Sequence, residues 1–423
     1  MRRFLVVMAA CAALRAQTAP TLTLEEAERI AIQNHPRIAA AKLATASSQE
    51  AVHQTKAILQ PQVGVNMTGS IAEHGSLLGA GQLQPQALYS RSAAGVSVSQ
   101  TVFDFGRSKM LTAAAEARAG AQAERANAVR LEVQLRVRDA YYSVLQAQRQ
   151  LKALRENVEL RSLTQRQIAA LAKSNLRSTL DVSFAELNLA EAELLLNRAE
   201  NDVRASEVDF AATLGFPDGR RYALAEPPDP PSLEPAADDL VTKAIASRPE
   251  IAALKMQIQA SRRQADSEAR QLLPSISLVG AGGYFGPRDQ RIHPSYGAAG
   301  VNVTIPVLTG GLFTSRRKEA ELRAESETQE LRDLEVRIAR EVRLAWVDAD
   351  NARQRLALTS KVLDQAVRTL RLAQTRYELG LSSIVELGQA QLSRTQGEVS
   401  AAAARYEYLR KRNLLDYQAG MLP

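Results

Sequence analysis

The sequence predicts a mostly α-helical chain with a small membrane β-part, built as one structural half written twice. Three observations predict this. The first is a repeat: Pro36-Arg-Ile38-Ala39-Ala40-Ala-Lys42 returns as Pro249-Glu-Ile251-Ala252-Ala253-Leu-Lys255. The offset is 213 residues as far as Pro61 and Pro274, then 205 from Gly95/Gly300 to Gly215/Gly420, so the first copy has one loop eight residues longer. A period of this length is not a solenoid unit. The second is four short stretches in which apolar and small polar residues alternate. The third is a pair of very long proline-free stretches with apolar residues every seven positions, the pattern of long coiled-coil helices.

In chain order, Arg2-Arg3, the apolar Phe4–Leu14 run and the small residues Ala16 and Ala19 predict a signal peptide over 1–19, cleaved near 16–19. Cys11 is the single cysteine. Met8-Ala-Ala-Cys11 vaguely resembles a lipoprotein cleavage box but lies very early; an ordinary cleaved signal is the expectation, with lipidation at Cys11 as the alternative. If Cys11 leaves with the signal, no disulfide or thiol chemistry remains. No later stretch holds 18 consecutive apolar residues, so no transmembrane helix is predicted.

The first repeat, 20–215, opens with a short helix, Thr23–Asn34, carrying Glu25 and Glu26 in its first turn. Pro36 begins a second helix that Pro61 ends. The period then falls from 3.6 to 2. Val63, Val65, Met67 and Ile71 alternate with Gly64, Asn66, Thr68 and Ser70, and Val96, Val98 and Val102 with Ser97, Ser99 and Thr101, giving strands near 62–71 and 94–103. From Gly106 to Ser174 there is no proline and one internal glycine, Gly120. At 1.5 Å per residue this is a rod of ~100 Å. The helices Pro36–Gln60 and Ser178–Leu214 span ~37 and ~55 Å and together nearly match it, so they can stack end to end beside it. Val137, Val144, Leu151 and Val158 recur every seven residues, a left-handed coiled-coil signature.

Residues 216–237 form a connector holding Pro217, Pro227, Pro228, Pro230, Pro231 and Pro235, expected to be extended and semi-rigid. The second repeat, 238–420, gives helices Pro249–Leu273, Gly311–Leu379 and Ser382–Ala419 and strands near 275–284 and 297–307, with a tail at 421–423. Its heptads are Val342, Ala349, Leu356, Leu363, Leu370 and Tyr377, and on the return helix Val385, Leu392, Val399 and Tyr406.

Four strands leave two open edges, a liability in water and intolerable in lipid. Strands of ~10 residues match a tilted membrane-spanning strand. The strands are therefore expected to contribute to a transmembrane β-barrel completed by other copies of the chain. Two copies give an eight-stranded barrel filled by its own side chains; three give twelve strands and a lumen that suits the small polar residues, so a homotrimer is expected. Tyr284, Phe285, Tyr296, Tyr89 and Phe103 lie at strand ends, where either an interfacial aromatic girdle or ordinary loop aromatics would place them.

Much chemistry is missing. There is no phosphate-cradling loop, no paired-histidine zinc motif and no nucleophile elbow. His35, His53, His74 and His293 are scattered, and the net charge of +7 is spread over helices that also carry acids. No basic run is interleaved with aromatics, so nucleic acid is not an expected partner. No enzyme activity, metal or cofactor is expected.

The residues to single out lie at the helix–turn–helix Arg376-Tyr377-Glu-Leu-Gly380-Leu-Ser382-Ser383-Ile-Val-Glu386-Leu-Gly-Gln389-Ala-Gln. Gly380 supplies a left-handed turn and Ser382 or Ser383 caps the next helix. Asn175, Ser178 and Asp181 fill these slots in the first repeat. Together with the strand exits Ile305-Pro306-Val-Leu-Thr-Gly-Gly311 and Thr101-Val-Phe-Asp-Phe-Gly106, and the leading Leu22-Thr-Leu-Glu-Glu-Ala and Asn34-His-Pro36, this turn resembles the outer-membrane efflux proteins, the TolC-like trimeric channel-tunnels. The likeness covers essentially the whole mature chain.

The resemblance implies a trimer with a twelve-stranded barrel in outer-membrane lipid and a helical tunnel across the periplasm. It would dock on a periplasmic adaptor and an inner-membrane pump of the RND or ABC class, as an efflux or type I secretion conduit. It implies an acidic constriction at Glu386 and Gln389; family members often have acids at both, so Gln389 departs from the pattern. It also implies that Asp181 and Tyr377 help hold a closed tip, with an arginine partner of some members replaced by Ser382. The adaptor-contact tips would be Leu379-Gly380-Leu381 and Ser174-Asn175-Leu176. Without the family, Glu386 is one more exposed helical acid. A cell-surface coiled-coil scaffold or adhesin is the alternative; it accounts for the heptads but not for the four strands.

Overall fold

The computed structural model describes residues 21–71, 73, 77–78, 86–87, 90–228, 233, 236–288, 290 and 293–422. The signal peptide with Cys11, and His74, Tyr89, Pro230, Pro231 and Pro235, lie outside the described residues. The elements are α1 (Leu24–Asn34), α2 (Pro36–Lys56), β1 (Gln62–Ser70), β2 (Leu77–Leu78), β3 (Gln86–Ala87), β4 (Arg91–Phe103), α3 (Arg107–Lys173), α4 (Thr179–Thr213), α5 (Ala237–Ser247), α6 (Pro249–Arg270), β5 (Ser275–Arg288), β6 (Ser295–Thr304), α7 (Leu312–Glu378) and α8 (Ile384–Gln418). The chain is mostly helical with one four-stranded antiparallel sheet. It divides into two units, one of Met1–Ala39, Arg130–Ala244 and Arg340–Pro423, the other of Ala40–Val129 and Ile245–Ala339.

The second of these units holds the sheet, in the order β1-β4-β5-β6. Each repeat supplies one pair, and β4 joins β5 across the repeats, with Val96 opposite Gly282 and Val98 opposite Gly280. Val63, Val65 and Met67 share a face with Val96 and Val98, Leu278, Val301 and Val303, and all are exposed. The other face carries Asn66, Ser97, Ser99 and Asn302, with Asn66 Nδ2 donating to Ser97 Oγ at 2.9 Å. Among the described residues, the outer edges of β1 and β6 pair with no strand of the chain.

Two of the aromatic residues depart from a lipid-facing girdle. Tyr296 pairs with Gly283, on the face of the small polar residues, and stacks with Phe285 at 5.0 Å between ring centroids. Its hydroxyl fills the space over Gly95, where an added Cβ would sit 2.1 Å away. A large ring can lie there because the glycines leave no side chain beneath it. Tyr284, on the apolar face and exposed, is placed as a girdle residue would be.

Strand limits also differ from expectation. β4 starts at Arg91 because Arg91, Ser92 and Ala93 still pair with Ser70, Gly69 and Thr68. β5 extends to Arg288, opposite Arg91. β6 stops at Thr304, short of 307, where Pro306 has no N–H to offer a ladder. A two-residue ladder, β2 with β3, sits in the loop that is longer in the first repeat. Beyond β4, Asp104 turns the chain into α3. Its carboxylate accepts from the N–H groups of Gly106 (3.1 Å) and Ser108 (2.8 Å), while Phe105 and Gly106 take positive φ of 53° and 82°. Gly120, the one interior glycine of α3, receives Met256 of α6, whose sulfur would lie 2.9 Å from a Cβ there.

The other unit has the larger aromatic core. Tyr141, Phe210, Leu214, Val137, Val144 and Tyr406 are buried together with Ala27 and Ala31 of α1. α1 starts with a reciprocal cap: Glu26 N–H donates to Thr23 Oγ1 (3.3 Å) and Thr23 N–H to Glu26 Oε2 (3.0 Å). Leu22 forms a parallel bridge with Leu224 of the connector. The Tyr141 hydroxyl spans this bridge, 3.0 Å from Leu22 O and 2.7 Å from Ala225 O.

Burial pushes the Tyr141 phenol up to about 12. A folded-state pKa above the unfolded value of about 10 favours the protonated form of the folded chain. That stability is complete below pH ~10 and is lost as pH rises through ~12, to the order of 2 kcal/mol. We expect an alkaline loss of helical signal in that window that Tyr141→Phe shifts or abolishes. An identical pH profile in both proteins would refute the assignment.

The heptads hold along most of α7, where Val342, Ala349, Leu370 and Tyr377 are buried. On α3 the seam drifts. After Val137 and Val144 it passes to Leu154, Asn157, Arg161 and Ile168, leaving Leu151 and Val158 half-buried. A straight helix rotates ~20° per heptad relative to a 3.5-residue repeat, which is the physical reason. At the start of α8, Ile384 and Leu387 are buried and Val385 is exposed, contrary to its expected place in the seam.

Candidate functional site

Both long helices end in the same turn. After α3, Asn175 adopts φ 55°, Leu176 N–H reaches back to Leu171 O (3.0 Å) and Asn175 N–H to Ala172 O (3.0 Å). After α7, Gly380 adopts φ 71°, Leu381 N–H bonds Arg376 O (2.8 Å) and Gly380 N–H bonds Tyr377 O (3.1 Å). This crossed pair of bonds closes a helix when one residue turns left-handed, which glycine does freely and asparagine tolerates. Ser178 caps α4 and Ser383 caps α8, the latter accepting from Glu386 N–H at 3.2 Å. Ser382 is therefore not the cap; its hydroxyl is buried with no hydrogen-bond partner. The turns present Leu176, Leu379 and Leu381, each 65–70% exposed, beside exposed Ser174, Asn175 and Gly380.

Asp181 and Glu386 are equivalent in the two repeats, each three residues after its cap, but their partners differ. Asp181 accepts from Ser178 N–H at 3.4 Å, closing a capping box. Glu386 pairs with Arg376, Nε to Oε1 3.3 Å, on an exposed surface. Gln389 is exposed one turn further along α8. Arg376 also donates to Leu381 O at 3.3 Å, bracing the turn.

Tyr377 is buried among Ile168, Leu370, Ile384 and Leu387. It makes no hydrogen bond with Asp181; its hydroxyl is without a partner. Arg177 instead lies over its ring, 4.3 Å from guanidinium carbon to centroid, and donates to Tyr377 O at 3.0 Å. Burial raises the Tyr377 phenol above its ordinary value; Arg177 works against this and Asp181 with it. Arg177 thus fastens the α3–α4 turn to the end of α7. Sequence reading missed it, though a signal was present: Arg177 stands at the repeat position of Ser382.

A buried polar layer crosses the helices behind the turns. Arg161 of α3 donates to Asn157 Oδ1 (3.3 Å) and to Asn188 O of α4 (3.2 Å). Thr395 of α8 donates to the same Asn157 oxygen at 2.9 Å, and Gln391 to Thr164 at 3.2 Å. Arg161 is 4% exposed, and burial pulls its guanidinium below the usual arginine value, opposed by the charge of Glu191. Gly388 lets α8 approach α4 here, since a Cβ would lie 3.1 Å from Asn188 Nδ2. Among the described residues no group of three or more His, Cys, Asp or Glu is placed to hold a metal ion. No described helix is long and apolar enough to cross a membrane.

Residues 29–216 and 240–420 match the family model of the outer membrane efflux protein. The chain belongs to the outer membrane efflux protein family. It is 25% identical over 411 residues to the outer membrane efflux protein BepC of Brucella suis, covering 94% of this chain and 86% of that protein. It is 23% identical over 408 residues to the outer membrane protein TolC of Vibrio cholerae, covering 91% and 88%. The fold matches the crystal structure of the outer membrane protein VceC of Vibrio cholerae with a TM-score of 0.76 at 19% identity, over 94% of this chain and 96% of that one. The family is one of efflux proteins rather than enzymes, and its setting is the outer membrane.

Proposed function

We propose that this efflux family member is a passive conduit, with three copies completing a twelve-stranded barrel and their helices continuing it as a tunnel through the periplasm. One observation carries this above the others. Among the described residues the sheet has two unpaired edges and an apolar face whose valines, Met67 and Leu278 are exposed, and its opposite face bears small polar residues. Hydrocarbon tolerates such a sheet only when its edges are closed by further strands, and the small polar face then lines a lumen. The similarity to TolC and to an efflux protein supports the same assembly.

The exposed leucines of the two turns would meet a periplasmic adaptor, and an inner-membrane pump of the RND or ABC class would supply the energy, since no motif of the chain binds a nucleotide. The assembly is tested by the migration of the membrane fraction in detergent gels. A trimeric barrel shifts on heating and conducts in planar bilayers; a chain that stays monomeric and silent would end the proposal.

The tips would form the constriction, and charge there would set ion preference. Each Glu386 is matched by its own Arg376, so three-fold symmetry yields a ring of ion pairs rather than of bare acids. Glu386→Ala is then expected to leave three unmatched arginines and shift selectivity toward anions. Arg376→Ala should shift it toward cations. Reversal potentials in planar bilayers report both, and two variants moving in the same direction, or not at all, would remove these residues from the gate.

A further inference from the structure

The sheet meets the helices at four crossings, all at one end of the strands and all within one unit of the chain. Each crossing carries exposed apolar side chains: Leu59 before β1, Phe103 after β4, Leu273 before β5, and Val307 and Leu308 after β6. Water opposes such exposure. The collar borders a band free of charge. β1 and β6 hold no charged residue, and Arg91 of β4 and Arg288 of β5 pair at the opposite end of the sheet.

Beyond the collar the helix starts are basic. Arg107 and Lys109 stand in the first turn of α3, Arg316 opens the second turn of α7, and neither first turn holds an acid. A helix N-terminus already carries partial positive charge, so cations there work against the dipole. Arg270 of α6 adds to the α3 end. Its Nε lies 3.8 Å from where a Cβ on Gly106 would sit, and Ser267 of the same helix donates to Arg107 O at 3.3 Å. Lys56 and Arg270 stand at helix C-termini, where the dipole by itself accounts for a cation. It does not account for Arg107, Lys109 and Arg316.

The nearby acids are engaged elsewhere. Asp104 accepts from the N–H groups of Gly106 and Ser108, and Glu268 from Gln264 and Gln271, both at 2.9 Å. Glu319 pairs with Arg323 at 3.2 Å and Glu321 with Arg317 at 2.8 Å. Among the described residues, Arg107, Lys109 and Arg316 are exposed and have no carboxylate partner.

We propose that this collar seats on anionic phospholipid in the leaflet facing the helices. The apolar side chains enter its acyl region, and Arg107, Lys109 and Arg316 meet the phosphates. The inference rests on the barrel reading, which puts the apolar sheet in lipid. An uncharged band, an apolar collar and then unmatched cations follow the order of depth in a bilayer, from hydrocarbon to charged headgroup. A soluble acidic protein would satisfy the cations and leave the collar in water.

For the test, the full chain is reconstituted in phosphatidylcholine bilayers with a trace of spin-labelled lipid. Electron spin resonance then measures the lipid immobilised on the protein. Phosphatidylglycerol is expected to be selected over phosphatidylcholine about three- to five-fold in dilute buffer, and the preference should fall towards one in about 0.5 M salt. The triple variant Arg107→Gln, Lys109→Gln, Arg316→Gln should abolish it. Each single variant should lose part of it, which keeps the test alive if the triple variant fails to assemble. Arg262→Gln is the control. Arg262 is also exposed and without a carboxylate partner, but it lies ~16 Å before Leu273 along α6, beyond a Debye length, so the preference should survive. Equal immobilisation of the two lipids, undiminished selection in the collar variants, or an equal loss in Arg262→Gln would overturn the proposal. Displacement of phosphatidylglycerol by inorganic phosphate at constant ionic strength would also overturn it, since that marks a discrete anion site rather than a bilayer surface. Absence of immobilised lipid of either kind, together with absence of a heat-modifiable trimer, would fell the barrel reading and this one with it. A trimer that immobilises lipid without selecting it fells only the collar.

Discussion

Glu28→Ala is expected to destabilise the unit around α1 by about 3–5 kcal/mol, the usual cost of stranding a buried charge. Glu28 and Arg138 form an ion pair whose side chains are 10% and 15% exposed, and Arg138 also reaches Asn413 Oδ1 at 3.4 Å. Removing the carboxylate leaves the guanidinium enclosed with one weak partner. The pair sits beside Ala27 and Ala31, which bury α1 against Val137, Tyr141 and Phe210, so α1 should detach first. Urea unfolding followed by circular dichroism, with limited proteolysis near Thr23, measures both effects. Glu28→Gln, which keeps shape and an acceptor, should lose less.

The second repeat provides an internal control. Its arginine at the same repeat position, Arg343, pairs with Asp238 at 3.0 Å, but the side chains are 58% and 82% exposed. An exposed pair contributes at most about 1 kcal/mol, so Asp238→Ala should be nearly silent. Equal losses for the two alanine variants would show that burial is not what sets the cost.

Val65→Arg is expected to be the most damaging change on the sheet. Val65 is 70% exposed in the protomer, on the apolar face. In the proposed barrel this face meets lipid, where an arginine near the bilayer midplane costs about 2–4 kcal/mol. Asn66→Arg, one residue along, points to the opposite face and should be tolerated in a water-filled lumen. The yield of heat-modifiable trimer in the outer-membrane fraction compares them. Equal yields would sink the assignment of faces, because one residue of register separates lipid from water.

Much of the architecture was legible because it is local. Alternation at Val63, Val65 and Met67 marks a strand whatever it pairs with, since side-chain direction alternates along any extended backbone. Absence of proline from Gly106 to Ser174 marks a helix for an equally local reason. Asn175 and Gly380 mark left-handed turns through their own backbone preferences. The repeat then doubled each of these inferences. The site was less legible. Arg177, which the sequence reading passed over, lies on the Tyr377 ring within the protomer, and Asp181 closes a capping box of its own helix.

The sequence by itself determined the duplicated order of helices and strands, the alternating faces and the two capped turns, because each depends on backbone sterics and periodicity within a few residues. Only the tertiary structure decided which distant groups meet. It set β4 beside β5 across the repeats, Arg177 on Tyr377, Tyr296 over Gly95, and a buried acid for Arg138 but an exposed one for Arg343. Those choices depend on where packed elements converge, and on how far a straight helix drifts from its heptad over its length, quantities that no spacing along the chain encodes.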